Sequence, residues 1–368
     1  MKLAHITMHF FPIYGGQETY IDNLNKIFEK NKIDVSVIQP TSLRNKNKPH
    51  FVHYVPSIRL PEPLIKGIPF LIGQDWFWFN SMLWFKKKFL KKQNVLISHY
   101  PFHYSAIAWH KNVIVVSHGL DWSEPPNLNL DKHKKYSAML AKHKNTKIVS
   151  NDTCFLRALD FNIKEGTQFF EEIKKNVWFI PNCIDTNKFY FKNEKRKNVI
   201  LVPRNIRKSR GIHLAIEAFN LFSQKHNEFI LKIVGGPLHG KYYKDCMNLV
   251  HHYSLENKVQ FTGNIPNKDL VDIYNKSKIT IIPTIAFEGT CLSALESMAC
   301  KTPVVSTRVG GLSDLPTYKV DTTPKEIFNG LEKVLNNWNG ESKKQYIITT
   351  KTFNLTNWEK AWLEVIKK

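Results

Sequence analysis

The feature that most limits what this chain can fold into is a repeated handover from a short apolar run to a longer amphipathic one. KLAHITMHF, VSVIQP, NVLISHY, VIVVSHG and TKIVSN each have strand length and strand composition, and each is followed by a turn and a helical pattern. Strands separated by helical crossovers pair in parallel and are covered on both faces. The alternation stops near WFIPNCIDTNKF, a lysine-rich stretch KNEKRKN (192–198) intervenes, and a second series begins: NVILVPR, FILKIVGG, VQFTGN, KITIIPT and PVVSTRVGG. The pattern predicts an α/β chain of two Rossmann-like domains, residues 1–190 and 197–350, joined by a hinge, with residues 351–368 forming a last helix. In TFNLTNWEKAWLEVIKK, Thr356 or Asn357 is placed near the start of that helix. With 368 residues, each domain is long enough to bury its own core.

Charge narrows the partners. Lysine and arginine outnumber aspartate and glutamate by 53 to 31, a formal charge of +22, which suits a nucleotide, a phospholipid, an acidic glycan or a nucleic acid. No helix-turn-helix, zinc finger or RNP-type aromatic motif is present, so nucleic acid is not expected as a partner. The five cysteines (Cys154, Cys183, Cys246, Cys291, Cys300) form neither a C-x-x-C pair nor a zinc spacing, and they read as reduced thiols of a cytosolic protein. MKLAHITMHFFPIYGG is too polar for a signal peptide, and no apolar run reaches the about 18 residues of a membrane span.

In open parallel sheets ligands bind beyond the carboxyl ends of strands, and four such places carry unusual chemistry. In FFPIYGGQETY, Gly15 and Gly16 permit a tight turn before a helix, letting a phosphate or an acceptor approach backbone N–H groups; a plain flexible turn reads equally well. In VVSHGLDWSEPP, His118 follows a run of valines at a strand tip facing the cleft. VPRNIRKSRG sets Arg204, Arg207, Lys208 and Arg210 between a strand and a helix, where guanidinium groups would hold a diphosphate; the alternative is a solvated charged face. AFEGTCLSALESMACKTPVV (286–305) keeps Glu288 and Glu296 around an apolar stretch. If a helix begins near Gly289 or Thr290, the N–H groups of Thr290, Cys291 and Leu292 are free donors, and Glu296 lies about 12 Å from Glu288 along the axis. A carboxylate kept in such a setting needs a partner, either an internal cation or the hydroxyls of a polyol ligand.

The C-terminal half resembles the retaining glycosyltransferases of family 4, which have the GT-B fold of two facing Rossmann-like domains. The resemblance rests on two glutamates with seven residues between them, on SMACKTPVVSTRVGG, on VPRNIRKSRG, on IPNCID and on FTGNIPNKDLVDIYNKSKITIIPT; it is strong over 178–315 and weaker over 1–177. It implies that Glu288 contacts the donor-sugar hydroxyls and Glu296 the ribose hydroxyls. Arg204 with a second cation, Lys208 or Arg210, holds the diphosphate, helped by the backbone at 290–292. Gly16 lies against donor or acceptor, and His118 sits beside the transferred sugar. The resemblance also implies that the last helix crosses back to the first domain. The chain departs from the family pattern at Arg210-Gly211, Cys183 and Lys301, and after Val309-Gly310-Gly311 it lacks the usual stretch near the nucleotide base.

Together these features predict a metal-independent hexosyltransferase that moves a sugar with retention from a nucleotide-diphosphate sugar, UDP or GDP, to a glycan or lipid-linked acceptor in bacterial cell-surface polysaccharide synthesis. No cofactor is expected, and no D-x-D metal motif occurs. Paired-carboxylate hydrolysis fits poorly, because it needs the groups about 5 to 9.5 Å apart. A GT-B epimerase acting on the nucleotide sugar is the alternative. In DWFWFNSMLWFKKKFLKKQ (75–93), a helical wheel puts Trp78, Phe79, Met82, Leu83, Phe85, Phe89 and Leu90 on a core-facing side and leaves Phe77 and Trp84 beside Lys87, Lys88 and Lys91. Residues 76–92 therefore read either as a core-facing helix with a solvated basic side or as a peripheral contact with an anionic membrane surface at the inner face of the cytoplasmic membrane, and the basic charge of the chain favours the contact.

Overall fold

The computed structural model describes residues 1–13, 15–40, 49–55, 79–119, 146–285 and 288–368. Two sheets organise the chain. The first contains β1 (Lys2–Ile6), β2 (Asp34–Pro40), β3 (Val52–Val55), β4 (Val95–Ser98), β5 (Val113–Ser117), β6 (Thr146–Ser150), β7 (Glu171–Lys174) and β8 (Val177–Phe179), in the order β3-β2-β1-β4-β5-β6-β8-β7. All its pairings are parallel except β7 with β8. The second contains β9 (Val199–Val202), β10 (Ile230–Ile233), β11 (Val259–Phe261), β12 (Ile279–Ile282), β13 (Val304–Thr307) and β14 (Tyr318–Val320), in the order β11-β10-β9-β12-β13-β14, and is parallel throughout.

Nine helices of six or more residues lie among the described residues: α1 (Gly16–Lys30), α2 (Thr153–Ala158), α3 (Ile212–Ser223), α4 (Lys241–His252), α5 (Asn267–Lys276), α6 (Leu292–Ala299), α7 (Pro324–Asn336), α8 (Trp338–Thr352) and α9 (Leu355–Lys367). Strand side chains alternate between sheet faces, so each strand feeds two cores. Ile114 and Val116 join Leu3, Ile97 and the α1 residues Tyr20, Ile21 and Leu24 on one face, while Val113 and Val115 join Ala4, Ile6 and Leu96 on the other.

Helix α9 packs on the first sheet: Trp358 and Trp362, both wholly buried, belong to the same core as Leu3 and Tyr20. Burying a large apolar side chain is worth on the order of 3 kcal/mol, so the two tryptophans anchor the chain's end firmly. The start of this helix differs from the expected one. Its cap is Asn354, whose side chain accepts from the Asn357 N–H at 2.9 Å, because Phe353, wholly buried, ends α8 immediately before it.

The segment before β4 also departs from a single helical wheel. It forms a 3-10 turn over Leu83–Lys86 and then one α-helical turn over Lys87–Leu90. Each 3-10 residue advances the wheel by more than an α residue does, so Phe85 swings off the core side and is 67% exposed, while Phe79, Leu83 and Leu90 stay buried. Residues 76–78 lie outside the described ones.

Candidate active site in the seam between the two sheets

The site forms where the carboxyl ends of both sheets face each other. Gly289 is the point of closest approach: a Cβ there would stand 2.4 Å from the His118 carbonyl oxygen and from Asn151 Oδ1. From the other side, a Cβ on Gly119 would stand 2.5 Å from the Gly289 nitrogen. Behind the same segment lie Gly310 and Gly311, whose Cβ atoms would meet the Glu288 carbonyl oxygen at 2.4 Å and the Gly289 carbonyl carbon at 2.5 Å, and the Gly311 N–H donates to the Glu288 carbonyl at 2.6 Å. Glu288–Gly289–Thr290 is thus threaded between glycines of both domains.

Side chains complete the seam. The Thr290 hydroxyl donates to the Asn151 carbonyl and accepts from the Asn182 N–H at 3.0 Å, and Asn182 Nδ2 donates to the Thr290 carbonyl at 2.6 Å. Asp314, wholly buried, accepts from the N–H and hydroxyl of Thr153 at 2.8 and 2.6 Å and from the Gly166 N–H at 3.1 Å. These bonds tie the second domain to α2 and to the loop after it.

Glu288 lies in this seam and gathers cations. Its Oε2 accepts from Arg204 Nη2 at 2.5 Å and from the Thr284 hydroxyl at 3.1 Å, and it lies 3.2 Å from Arg210 Nη1. Among the described residues Oε1 takes no such donor. Burial pushes this carboxyl up, but the charges of Arg204 and Arg210 and the bonds from Arg204 and Thr284 more than offset that, so its pKa lies below the ordinary value. Arg204 is bonded through both Nη atoms: Nη2 also reaches Thr284 at 3.1 Å and Nη1 reaches Cys291 Sγ at 3.2 Å, while its buried Nε has no partner among the described residues, and its side chain is only 7% exposed. Arg210 is 30% exposed, and its one ion pair among the described residues is with Glu288. It is placed there by Gly211, whose φ of +69° and whose Cβ position, 1.8 Å from the Pro283 carbonyl oxygen, both require glycine. Lys208 points elsewhere, into a groove of about 720 Å³ shared with His213, Lys241, Tyr242 and Asp245.

Helix α6 starts later than the sequence pattern predicts. Its first residue is Leu292, with Cys291 as an extended N-cap that makes no side-chain cap. The bond to Asn151 and the bond from Asn182 hold Thr290 in the bend before the helix, which delays the first helical turn. Thr290 and Cys291 therefore precede the helix, and the helical rise no longer measures the distance between Glu288 and Glu296. Glu296 lies on α6, half-buried, accepting from the Tyr274 hydroxyl at 2.8 Å; burial pushes its carboxyl up to about 7, against that bond. Across the seam, a Cβ on Gly16 would stand 3.7 Å from Leu292 Cδ1, so the uncapped starts of α1, whose N-cap is Gly15, and of α6 face each other.

His118, at the end of β5, lies edge-on to Tyr20 at 4.7 Å and bonds to His99, a residue the sequence pattern did not single out although it too ends a strand. Tyr274, Thr284, Asn151 and Asp314 were likewise missed; polar residues inside strand-and-helix patterns gave no signal of their own.

Comparison with known proteins fits this geometry. Residues 184–352 match the family model of glycosyl transferases group 1. The match takes in Arg204, Lys208, Arg210, Glu288 and Glu296, and leaves Gly15, Gly16 and His118 outside it. Over its whole length the chain is similar to a probable sucrose-phosphate synthase of Thermosipho melanesiensis, 24% identical and covering 93% of that protein. Among solved structures it superposes on the sucrose-phosphate synthase of Thermosynechococcus elongatus with a TM-score of 0.77, 17% identity and coverage of 100% and 98% of the two chains. HepE of Anabaena, in complex with UDP and glucose, superposes with a TM-score of 0.75, 13% identity and coverage of 100% and 99%. The fold is GT-B, and the stretch that matches glycosyl transferases group 1 lies in its second half.

Proposed function

We propose that the chain is a retaining glycosyltransferase of family 4, moving a hexosyl group from a nucleoside-diphosphate sugar to a glycan or lipid-linked acceptor in cell-surface polysaccharide synthesis. The observation that carries the reading is the Glu288 cluster: one carboxylate oxygen bound to two arginines, the other without a partner among the described residues, beside the start of α6, which no side chain caps. A diphosphate placed at the α6 start meets the backbone N–H groups of Leu292 and Ser293 and the positive end of the helix, with the half-buried Arg210 beside it. As the bond to the sugar breaks, negative charge grows on the leaving diphosphate, and these fixed donors stabilise it without reorganising. Glu288 Oε1 accepts from a sugar hydroxyl, and Glu296 accepts from the ribose. Arg204, buried and bonded through both Nη atoms, positions Glu288.

The donor is expected to carry UDP or GDP, and the UDP of the HepE complexes makes UDP-sugars the first to assay. Incubating the protein with UDP- and GDP-sugars and a lipid-linked acceptor should release nucleoside diphosphate only when acceptor is present. Release of free epimerised sugar nucleotide without acceptor would instead establish the epimerase. Glu288→Ala and Glu296→Ala that both keep wild-type turnover and donor affinity would remove the site assignment.

A membrane-facing surface is part of the proposal. Trp84 and Phe85 are 69% and 67% exposed, packed edge-on at 5.4 Å, with Lys86, Lys87, Lys88, Lys91 and Lys92 around them, and Lys87 lies over the ring of Trp109 at 5.3 Å. Exposed aromatics among lysines suit an anionic bilayer at the inner face of the cytoplasmic membrane. Among the described residues no helix is long and apolar enough to cross a membrane. Sedimentation with phosphatidylglycerol vesicles, lost in Trp84→Ala/Phe85→Ala, tests this.

A further inference from the structure

Three histidines stand in a row on neighbouring strands. His5 is in β1, His99 follows β4 and His118 follows β5, and these three strands are adjacent in the sheet. His5 Nδ1 lies 2.8 Å from His99 Nε2, and His99 Nδ1 lies 3.0 Å from His118 Nε2. His5 and His99 are wholly buried. Their nitrogens pair with one another rather than converging on a point, and no metal-type cluster occurs among the described residues. The row is braced on its flanks by rings: Phe28 stacks on His5 at 6.0 Å, and Tyr20 stands edge-on to both His99 and His118. Tyr20 in turn packs on Trp358 of α9 at 4.9 Å.

Such a row has one internal degree of freedom. Each neutral imidazole carries one N–H, so the direction of the first bond sets the direction of the second, and hence the tautomer of the last ring. The far end decides the direction. His5 Nε2 is buried and has no partner among the described residues. Were the row to run from His118 towards His5, that nitrogen would be a buried, unbonded N–H; run the other way, it is a bare lone pair. Orphaned buried N–H groups are the rarer of the two defects. His5 Nδ1–H then donates to His99, His99 Nδ1–H donates to His118 Nε2, and the His118 proton is left on Nδ1. Burial holds all three rings below the ordinary imidazole range, to about 3 at His5 and at His118, which keeps them neutral at physiological pH.

We infer that His5 and His99 are positioning residues that lock His118 as its Nδ1–H tautomer, so that the ring meets the transferred sugar as a hydrogen-bond donor and not as a base. This rests on the proposed function for the sugar's presence, though the tautomer itself does not. A locked donor favours a sugar with an oxygen acceptor at that position, such as a hydroxyl, and works without any proton leaving the ring.

The test is nitrogen-15 histidine labelling of the ligand-free protein and long-range proton–nitrogen correlation, which separates the two tautomers from each other and from imidazolium. All three rings are expected as Nδ1–H. His118 protonated on Nε2, a mixture of tautomers, or imidazolium at neutral pH overturns the inference. His5→Phe, remote from the seam, should turn His118 into a tautomer mixture and lower kcat by about tenfold with KM little changed, short of the about 100-fold that loss of a whole donor costs. An unchanged His118 spectrum and unchanged kcat in that variant also overturn it. If the wild-type spectrum is as expected but no nucleotide sugar is turned over, the row stands and the proposed function falls.

Discussion

The carboxylate of Glu288 meets the guanidinium of Arg204 at 2.5 Å in the seam between two sheets, with Arg204 only 7% and Glu288 13% exposed. Removing one partner of such a pair leaves a buried charge uncompensated, at a cost of about 3 to 5 kcal/mol, whereas replacing both by apolar groups is far milder. Glu288→Ala should therefore lower the urea-unfolding free energy by that amount, because Arg210, a cation itself, cannot replace the lost carboxylate beside Arg204. Arg204→Met/Glu288→Leu should recover most of the loss and remain without transferase activity. An unfolding midpoint of Glu288→Ala equal to wild type would show that the pair does not hold this segment.

Gly289 has no room for a methyl group, with the His118 carbonyl and Asn151 Oδ1 both 2.4 Å from where its Cβ would be. Both obstacles belong to the first domain, so Gly289→Ala must push the domains apart or shift the Glu288–Thr290 segment. The expected outcome is a larger radius of gyration by small-angle scattering and loss of more than tenfold in turnover, since small misplacements of reacting groups are costly. Each domain keeps its own core, so the variant should still fold.

Much of the architecture was legible in the sequence because a parallel sheet buries its strands on both faces. NVLISHY, VIVVSHG, TKIVSN, NVILVPR and KITIIPT are continuous apolar runs, and they became β4, β5, β6, β9 and β12. The short strands β3, β7, β8 and β14 were not legible; EEIK of β7 lies at the sheet's edge with mostly exposed or half-buried side chains, so hydrophobic patterning has nothing to mark. The cations of VPRNIRKSRG could be seen to sit at a strand end, but not that Arg204 turns inward to Glu288 and Cys291 while Lys208 turns to a separate groove. The inward turn of Arg204 depends on contacts 84 and 87 positions along the chain, which no local pattern encodes. The glycines 119, 289, 310 and 311 were visible as residues; their common task, to let one strand pass between the domains, appears only in three dimensions.

Glu296 titrates near neutrality, its carboxyl pushed up to about 7 by burial and held from rising further by the Tyr274 hydroxyl at 2.8 Å. A ribose hydroxyl donates to a carboxylate better than to a carboxylic acid. Binding of UDP, followed by calorimetry, should tighten as pH rises from about 6 to about 8. Tyr274→Phe should move that transition to higher pH, because it removes the bond that favours the ionised form. Glu296→Gln should bind weakly and show no such pH dependence.

Acid should destabilise the fold well before most carboxylates are protonated. His5, His99, His103 and His118 are all lowered by burial, to about 3 for His5, His103 and His118. Each is neutral when folded and charged when unfolded below about 6.5, so the stability it contributes is full above that pH and is lost as pH falls towards about 3. Glu296 and Asp152, both raised to about 7 by burial, work the other way: they bind a proton in the folded state first, so their contribution grows as pH falls from about 7 towards the ordinary carboxylate range. Among these six groups, between about pH 6.5 and pH 4.5, four protons taken up on unfolding oppose two released, a net uptake of two; His213, lowered by burial, adds to the uptake and Asp314, raised by burial, adds to the release. The unfolding free energy should then fall by roughly 2 to 3 kcal/mol per pH unit across that window. His103→Leu removes one of the four and should roughly halve the slope. A slope near zero in the wild-type protein would mean that the histidines are charged in the folded state, and with it the neutral row behind His118 would be lost.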